Sequence, residues 1–143
     1  MATSTFYKFD CFVLDVANKQ HDLKTGTTDT FKVCLTNTQP VVGNTVLSSI
    51  TQIASGNGYT TDGNAAAFTS GVQTGGVFKL VLADPTAWTG SGAGMATFRW
   101  AVLYNVTSSK LIGWYDYATT ITLGVGETFT CDLDQANGVL TLT

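Results

Sequence analysis

Alternating apolar and polar positions along the chain predict a series of short β-strands. The clearest runs are 30–35 (TFKVCL), 77–82 (VFKLVL) and 98–104 (FRWAVLY). A period of two is typical of a strand that buries one face, so 30–35 is predicted to be half-buried. The run at 98–104 is the strongest strand candidate, and four of its side chains are predicted to share one face: Phe98, Trp100, Val102 and Tyr104.

Turn-forming residues separate several weaker strand candidates. These lie at 65–72, 111–117, 120–123, 128–133 and 139–143, with glycine, asparagine, serine or proline between many of them. Short strands divided by turn residues are typical of sandwiches and barrels. The pattern therefore predicts an all-β fold, or a mainly β fold with a short N-terminal helix or arm, built as an antiparallel β-sandwich or a jelly-roll-like barrel.

The N-terminal residues do not follow the same alternation. Residues 6–17 fit the period of a strand and that of a short helix, and we favour a short helix or an irregular arm there. Residues 18–29 are polar and indicate a connection. The predicted organisation is an N-terminal arm and connection at 1–29, followed by a single β-sandwich domain at 30–143. One or two helical turns are also predicted near 44–50.

A glycine-rich segment at 52–64, QIASGNGYTTDGN, suits either a ligand loop or a corner of a sheet. Asn-Gly and Asp-Gly pairs are preferred where the backbone needs a positive φ. No Gly-Lys-Ser/Thr sequence follows to complete a phosphate loop. The segment is therefore predicted to be a corner, with Tyr59 holding it against the core.

Charge and cysteine content narrow the function classes. Charged residues make up 12% of the chain, and the net charge is −3 with no cluster of Lys or Arg. Nucleic-acid binding requires such clusters, so it is not expected. The chain lacks a signal-peptide pattern and an apolar run of membrane-spanning length, which predicts a cytoplasmic product without membrane contact. Cys11, Cys34 and Cys131 are predicted to be free core thiols, and no cofactor or metal is expected.

Candidate catalytic residues are few. His21 is the sole histidine and is predicted to lie on the surface or in a turn. Asp116 lies between two tyrosines, and Asp132 and Asp134 alternate along a predicted strand. Carboxylate pairs serve glycoside hydrolysis, but solvated acids beside core aromatics are the favoured interpretation. We therefore expect a protein that is not an enzyme.

Five segments resemble, in the same order, a family of tailed-bacteriophage virion proteins. They are FKVCLTNT (31–38), ITQIASGNGYTTDG (50–63), TFRWAVLYN (97–105), LIGWYDY (111–117) and ITLGVGETFTCDLDQANGVLTL (121–142). The resemblance covers residues from about 30 to 143 and lies in the joint order of strand and turn patterns. It implies a small structural protein of the phage particle and brings no catalytic residues.

The role implied by this resemblance is a capsid decoration, or cement, protein on the head surface of the virion. Such a protein is made in the host cytoplasm and binds the major capsid protein, which stabilises the assembled shell. A homo-oligomer, a trimer or a dimer, is also expected, because a chain with few charges must cover its edge strands. Aromatic side chains are common in binding hot spots. The candidate interface residues are Trp88, Trp114, Tyr115 and Tyr59, with core packing as their alternative role.

Two other functions stay open at this point. The chain also fits a tail component, such as a tube or fibre-associated protein. A carbohydrate-binding β-sandwich is the other alternative, with Trp88, Trp114 and Tyr115 as a stacking platform. These functions predict the same fold class, so the fold does not separate them.

Overall fold

The computed structural model of the protein describes residues 4–143, and this part of the chain consists mainly of antiparallel β-strands. In chain order the elements are β1 (Thr5–Lys8), α1 (Cys11–Ala17), β2 (Phe31–Thr36), a 3-10 helix (Leu47–Ser49), β3 (Asn64–Ala65), β4 (Phe68–Thr74), β5 (Val77–Leu82), β6 (Trp88–Thr89), β7 (Phe98–Asn105), β8 (Lys110–Ile121), β9 (Thr128–Phe129) and β10 (Leu140–Leu142). The predicted mainly β fold is confirmed. No helix in the described residues has the length and apolar character needed to cross a membrane.

The strands form a sandwich-like arrangement of two layers. One layer is a five-stranded sheet in the order β1-β8-β7-β2-β3. The facing layer consists of a three-stranded sheet, β10-β5-β4, and a two-stranded sheet, β6-β9. Buried side chains from both layers form one cluster, here called the inner core, which includes Leu82, Trp88, Leu103 and Tyr115. Apolar faces of two sheets are thereby removed from water together.

The five-stranded sheet is also covered on its other face. A second buried cluster lies there, here called the outer cluster: Phe9, Cys34, Ile50, Trp100, Val102, Tyr104, Leu111 and Trp114. Its cover comes from the chain around Phe9 and from the segment that includes the 3-10 helix. The prediction that β2 is half-buried is therefore wrong, because β2 lies between strands and is covered on both faces.

Register shifts change which side chains share a face. The pairing of β7 with β8 is interrupted between Phe98 and Trp100, and again between Leu103 and Tyr104. As a result Phe98 lies in the inner core, while Trp100 lies in the outer cluster. The predicted common face of 98–104 is wrong at Phe98, since an irregularity in the ladder turns the following side chains to the opposite side.

The N-terminal segment forms both of the structures that its pattern allows. β1 pairs with β8, so it is the edge strand of the five-stranded sheet, and α1 follows directly. Phe12 of α1 lies in the inner core. The described part of the predicted arm therefore packs as part of the sandwich, whereas residues 1–3 of that arm lie outside the described residues.

Other sequence predictions hold in part. The strand predicted at 120–123 begins within the long β8, and the one predicted at 128–133 is limited to the two residues of β9. The turns predicted near 44–50 are a single 3-10 helix. The chain between β9 and β10 bonds to side chains outside the sheets, since Leu133 N donates to Asp84 Oδ1 at 2.8 Å.

Candidate functional site

The four aromatic residues predicted as an interface lie in the interior of the protein. Trp88 and Tyr59 expose 1% and 2% of their surface, and Trp114 and Tyr115 expose 7% each. Large aromatic side chains contribute most when they are buried, and here they complete the inner core and the outer cluster. The structure corrects this part of the prediction, because these side chains do not form an exposed contact patch.

The same placement separates the predicted sugar platform. Trp114 and Tyr115 are neighbours on β8, so their side chains point to opposite faces of the sheet. Trp114 packs in the outer cluster, with its ring 4.5 Å from that of Phe9, measured between centroids. Trp88 and Tyr115 belong to the inner core. The platform of Trp88, Trp114 and Tyr115 is therefore wrong as a single surface.

The predicted corner at 52–64 is confirmed, with Tyr59 as its anchor. The Tyr59 hydroxyl donates to Gln52 Oε1 at 2.6 Å and accepts a bond from Leu35 N at 3.2 Å. Gly58 has a φ of 107°, and a side chain there would collide with the carbonyl oxygen of Thr89. Glycine is required by this conformation and by this close backbone approach.

His21 is buried, which contradicts its predicted surface or turn position. It exposes 6% of its surface, and its Nδ1 lies 3.3 Å from the side-chain nitrogen of Asn105. Asn105 also donates to Asp29 Oδ2 at 2.6 Å. Burial lowers the pKa of His21, although the carboxylates of Asp15 and Asp29 act in the other direction. The cluster ties the connection after α1 to the end of β7.

The candidate carboxylates have local structural partners. Asp116 forms a two-pronged pair with Arg99, at 2.8 Å and 3.0 Å, and this bonding lowers the pKa of the carboxyl group. The predicted strand through Asp132 and Asp134 is wrong, because this segment turns. Asp132 Oδ1 accepts a bond from Asp134 N at 2.8 Å, and Asp134 Oδ1 accepts one from Asn137 N at 3.0 Å.

The three cysteines are free thiols, and the predicted core position holds for Cys34 and Cys131 but not for Cys11. Burial raises the pKa of Cys34 to about 12 and that of Cys131 to about 12. Cys11 is partly exposed, and burial together with Asp15 raises its pKa to about 11. Thiols with raised pKa values are poor nucleophiles at neutral pH. Within residues 4–143, no three or more His, Cys, Asp or Glu side chains are placed to bind a metal ion.

An exposed apolar surface lies around the N-terminal helix. We call it the N-terminal apolar patch, and its members are Tyr7, Val13, Leu14, Val41 and Val42. Val13, Leu14 and Val41 expose 62%, 63% and 62% of their surface, and Tyr7 and Val42 expose 45% and 47%. Single exposed apolar residues are ordinary, but an exposed group of them indicates a contact surface.

Backbone and ring contacts bring the members of the patch together. The backbone nitrogen of Asp10, at the start of α1, donates to Val42 O at 3.0 Å. Val13 and Leu14 are three and four residues after Asp10, and such positions share one side of a helix. Tyr7 lies just before α1 in the chain, and its ring stacks on that of Trp114, with the ring centroids 5.4 Å apart. The 41–42 loop, α1 and the end of β1 thus meet in one region.

The sequence pattern does not indicate this patch. Val13 and Leu14 lie in a segment whose pattern fits both a strand and a helix, and Val41-Val42 is an isolated pair, so neither pattern indicates exposure. A pair of apolar residues has the same sequence whether it is exposed or buried, so only tertiary contacts distinguish the two cases. The one available signal is the loop that contains Pro40. Turn residues there indicate that Val41 and Val42 belong to no strand or helix that would pack them against the core.

The comparisons with known proteins leave the family open. No protein-family model matches the chain, and searches of curated proteins and of solved structures returned no significant match. The geometry of the residues and the ordered resemblance of the five sequence segments are therefore the grounds for a functional proposal.

Proposed function

We propose that the protein is a non-enzymatic structural protein of a tailed-phage virion, a capsid decoration protein that binds the assembled head. The ordered resemblance of five segments to phage virion proteins supports the virion role. The single structural observation that carries the contact role is the N-terminal apolar patch. The partner is the major capsid protein, and the protein acts on the outer surface of the head.

The patch has the features of a contact surface on a fixed support. β1 is hydrogen-bonded to β8, and α1 is tied to the start of β8 by the pair of Asp15 with Lys110, whose charged atoms are 3.7 Å apart. Its side chains therefore need little further ordering on binding, which reduces the entropic cost. Aliphatic and tyrosine side chains that leave water on contact provide the driving force.

Stabilisation of the shell follows from selective binding. A protein that binds the assembled lattice and not its dispersed subunits shifts the equilibrium towards assembly. Many copies act on one particle, so each contact can be modest in area. A homo-oligomer, a trimer or a dimer, is part of this proposal, because β1 and β3 are the edge strands of the five-stranded sheet formed by the described residues, and edge strands can pair with another chain.

The test is co-sedimentation of the purified protein with expanded, undecorated phage heads, with purified tails as the control. We expect saturable binding to heads at a fixed copy ratio. Leu14→Glu and Val42→Glu place a charge within the patch and are expected to weaken binding at least about tenfold, because a desolvated charge at an interface costs more than 1.4 kcal/mol. Val125→Glu is the matched control, since Val125 is 70% exposed in a turn outside the patch.

The outcomes separate the alternatives. Binding to tails alone would favour the tail component, and binding to neither particle would contradict the virion proposal. Equal binding by all three variants would leave head binding intact but contradict the role of the patch. Light scattering of the free protein tests the oligomer, and a monodisperse monomer at micromolar concentration would contradict that part.

A further inference from the structure

A cavity of about 650 Å³ lies on the other side of β1 from the patch. It is located between the β1–β8 edge of the large sheet and the chain from Thr128 to Val139. The strand β1 separates the two surfaces, because Tyr7 faces Trp114 in the outer cluster while Phe6 packs beside Tyr115. The cavity is therefore independent of the proposed contact with the shell.

Aromatic rings form the wall of this cavity. Phe6 and Tyr115 lie with their ring centroids 4.9 Å apart, and those of Tyr117 and Phe129 are 5.1 Å apart. Gly113 makes the position of Phe6 possible, because a side chain there would collide with the Phe6 ring. Because Gly113 has no side chain, the Phe6 ring lies directly against the backbone of β8.

Polar groups with unused bonding capacity lie beside these rings. Tyr115 is 7% exposed, and its hydroxyl has no hydrogen-bond partner among residues 4–143. The hydroxyls of Tyr59, Tyr104 and Tyr117 each have at least one. A phenol oxygen that opens into the cavity and has no partner in the described residues can donate and accept hydrogen bonds with a ligand or with water.

Carboxylates define the electrostatic character of the opening. Asp132 and Asp134 both line the cavity. Within the described residues, Asp132 uses only Oδ1 in a hydrogen bond, so its second oxygen is free to accept another. Asp84, Asp132 and Asp134 all contribute negative potential at Tyr115, where burial is the main cause of a raised pKa. An anionic ligand is therefore disfavoured.

We propose that the cavity binds an uncharged carbohydrate of one or two pyranose rings. The C–H face of a pyranose packs on aromatic rings. Its hydroxyls donate hydrogen bonds to carboxylates, and they can donate to or accept from a phenol. The volume lies within the range of small-molecule sites. A purely apolar ligand would leave Tyr115 and Asp132 without partners at a cost in affinity. This site differs from the predicted platform, since it uses Tyr115 without Trp88 or Trp114.

The test is a titration of the ¹⁵N-labelled protein with maltose, cellobiose and chitobiose, followed by amide chemical shifts. We expect at least one disaccharide to give saturable shifts in β1, in β8 near Tyr115 and in 128–139. Concentrations up to about 20 mM reach the millimolar dissociation constants of weak sites. No saturable shifts with any of the three sugars, or shifts confined to other regions, would overturn the proposal.

Variants test the assigned groups without removing the rings. Tyr115→Phe and Asp132→Asn are expected to weaken binding by about three- to tenfold each, the effect of one hydrogen bond. Tyr7→Phe and Asp10→Asn are the matched controls, since both residues lie outside the cavity lining. Thermal unfolding of each variant checks that the fold is kept. Unchanged affinity in both cavity variants would overturn the assignment.

Discussion

The two faces of the five-stranded sheet are buried in different ways. The inner face packs against a second layer of strands, so the inner core has hydrogen-bonded backbone on both sides. The outer face is covered by the chain around Phe9 and Cys11, just before and at the start of α1, and by the segment of the 3-10 helix, with Leu47 and Ile50. Both faces contain fully buried leucines, namely Leu103 on the inner face and Leu111 on the outer face.

This difference explains where the candidate contact surface lies. In a sheet, every second side chain of each strand points to the same face. A facing sheet therefore covers the inner core evenly. The outer cluster is covered by irregular chain around Phe9 and the 3-10 helix, and exposed side chains such as Leu14 and Val42 lie beside this irregular cover. Loops on a rigid scaffold are common positions for binding residues.

The largest expected effect comes from a matched pair of core truncations. Leu103→Ala should lower the free energy of unfolding by about 3–5 kcal/mol, and Leu111→Ala by about 2–3 kcal/mol. The outer cover can shift towards the space left at Leu111, whereas two paired sheets resist such a shift at Leu103. Urea denaturation of both variants measures the difference. A loss at Leu111 equal to or larger than that at Leu103 would contradict the distinction between the two faces.

A smaller effect is expected at the corner anchor. Tyr59→Phe removes the hydroxyl that bonds Leu35 N and Gln52 Oε1, which leaves a buried backbone donor without its partner. The expected loss in unfolding free energy is about 1–3 kcal/mol. Tyr7→Phe is the control and should be close to neutral, since Tyr7 is 45% exposed. The anchor role would be refuted by equal stability of the two variants in urea.

The smallest expected effect is a pH dependence from His21. Burial lowers its pKa in the folded state, so below the unfolded value of about 6.5 the unfolded chain binds more protons. The free energy of unfolding should therefore fall as the pH is reduced from about 7.5 to about 5.5. The charged groups around the ring are Asp15 and Asp29, which favour the charged form of His21, and Lys110, which disfavours it as burial does.

The variant His21→Gln isolates this contribution. Urea unfolding at the two pH values should show a weaker pH dependence in the variant, whatever its absolute stability. Asp116, whose pKa is lowered by Arg99, titrates in a more acidic range and does not contribute here. An unchanged pH dependence in His21→Gln would show that other groups cause the effect.

Local pattern predicted a substantial part of the fold. The strands at 31–36, 77–82 and 98–105 were predicted within a residue or two, because a period of two is a local property. The corner at 52–64 was also predicted, since Asn-Gly and Asp-Gly pairs have few alternative conformations.

The candidate sites were predicted less well. Trp88 and Trp114 were proposed as contact residues, but a large aromatic residue has the same local pattern in a core and at an interface. His21 lies in a polar segment, and it is buried by tertiary contacts with the Phe12 ring and with Asn105, which is 84 positions away in the chain. Tyr115 belongs to a cavity that is formed by three distant segments.

The sequence by itself determined the mainly β class, most central strands and the glycine corner, because these depend on backbone preferences within a few neighbouring residues. Only the tertiary structure decided which side of each strand is buried, since register shifts near Phe98 and Leu103 change the alternation. It also decided that Val42 and Leu14 are exposed and that Trp88 is not. Exposure is set by the packing of segments far apart in the chain, which has no local signature.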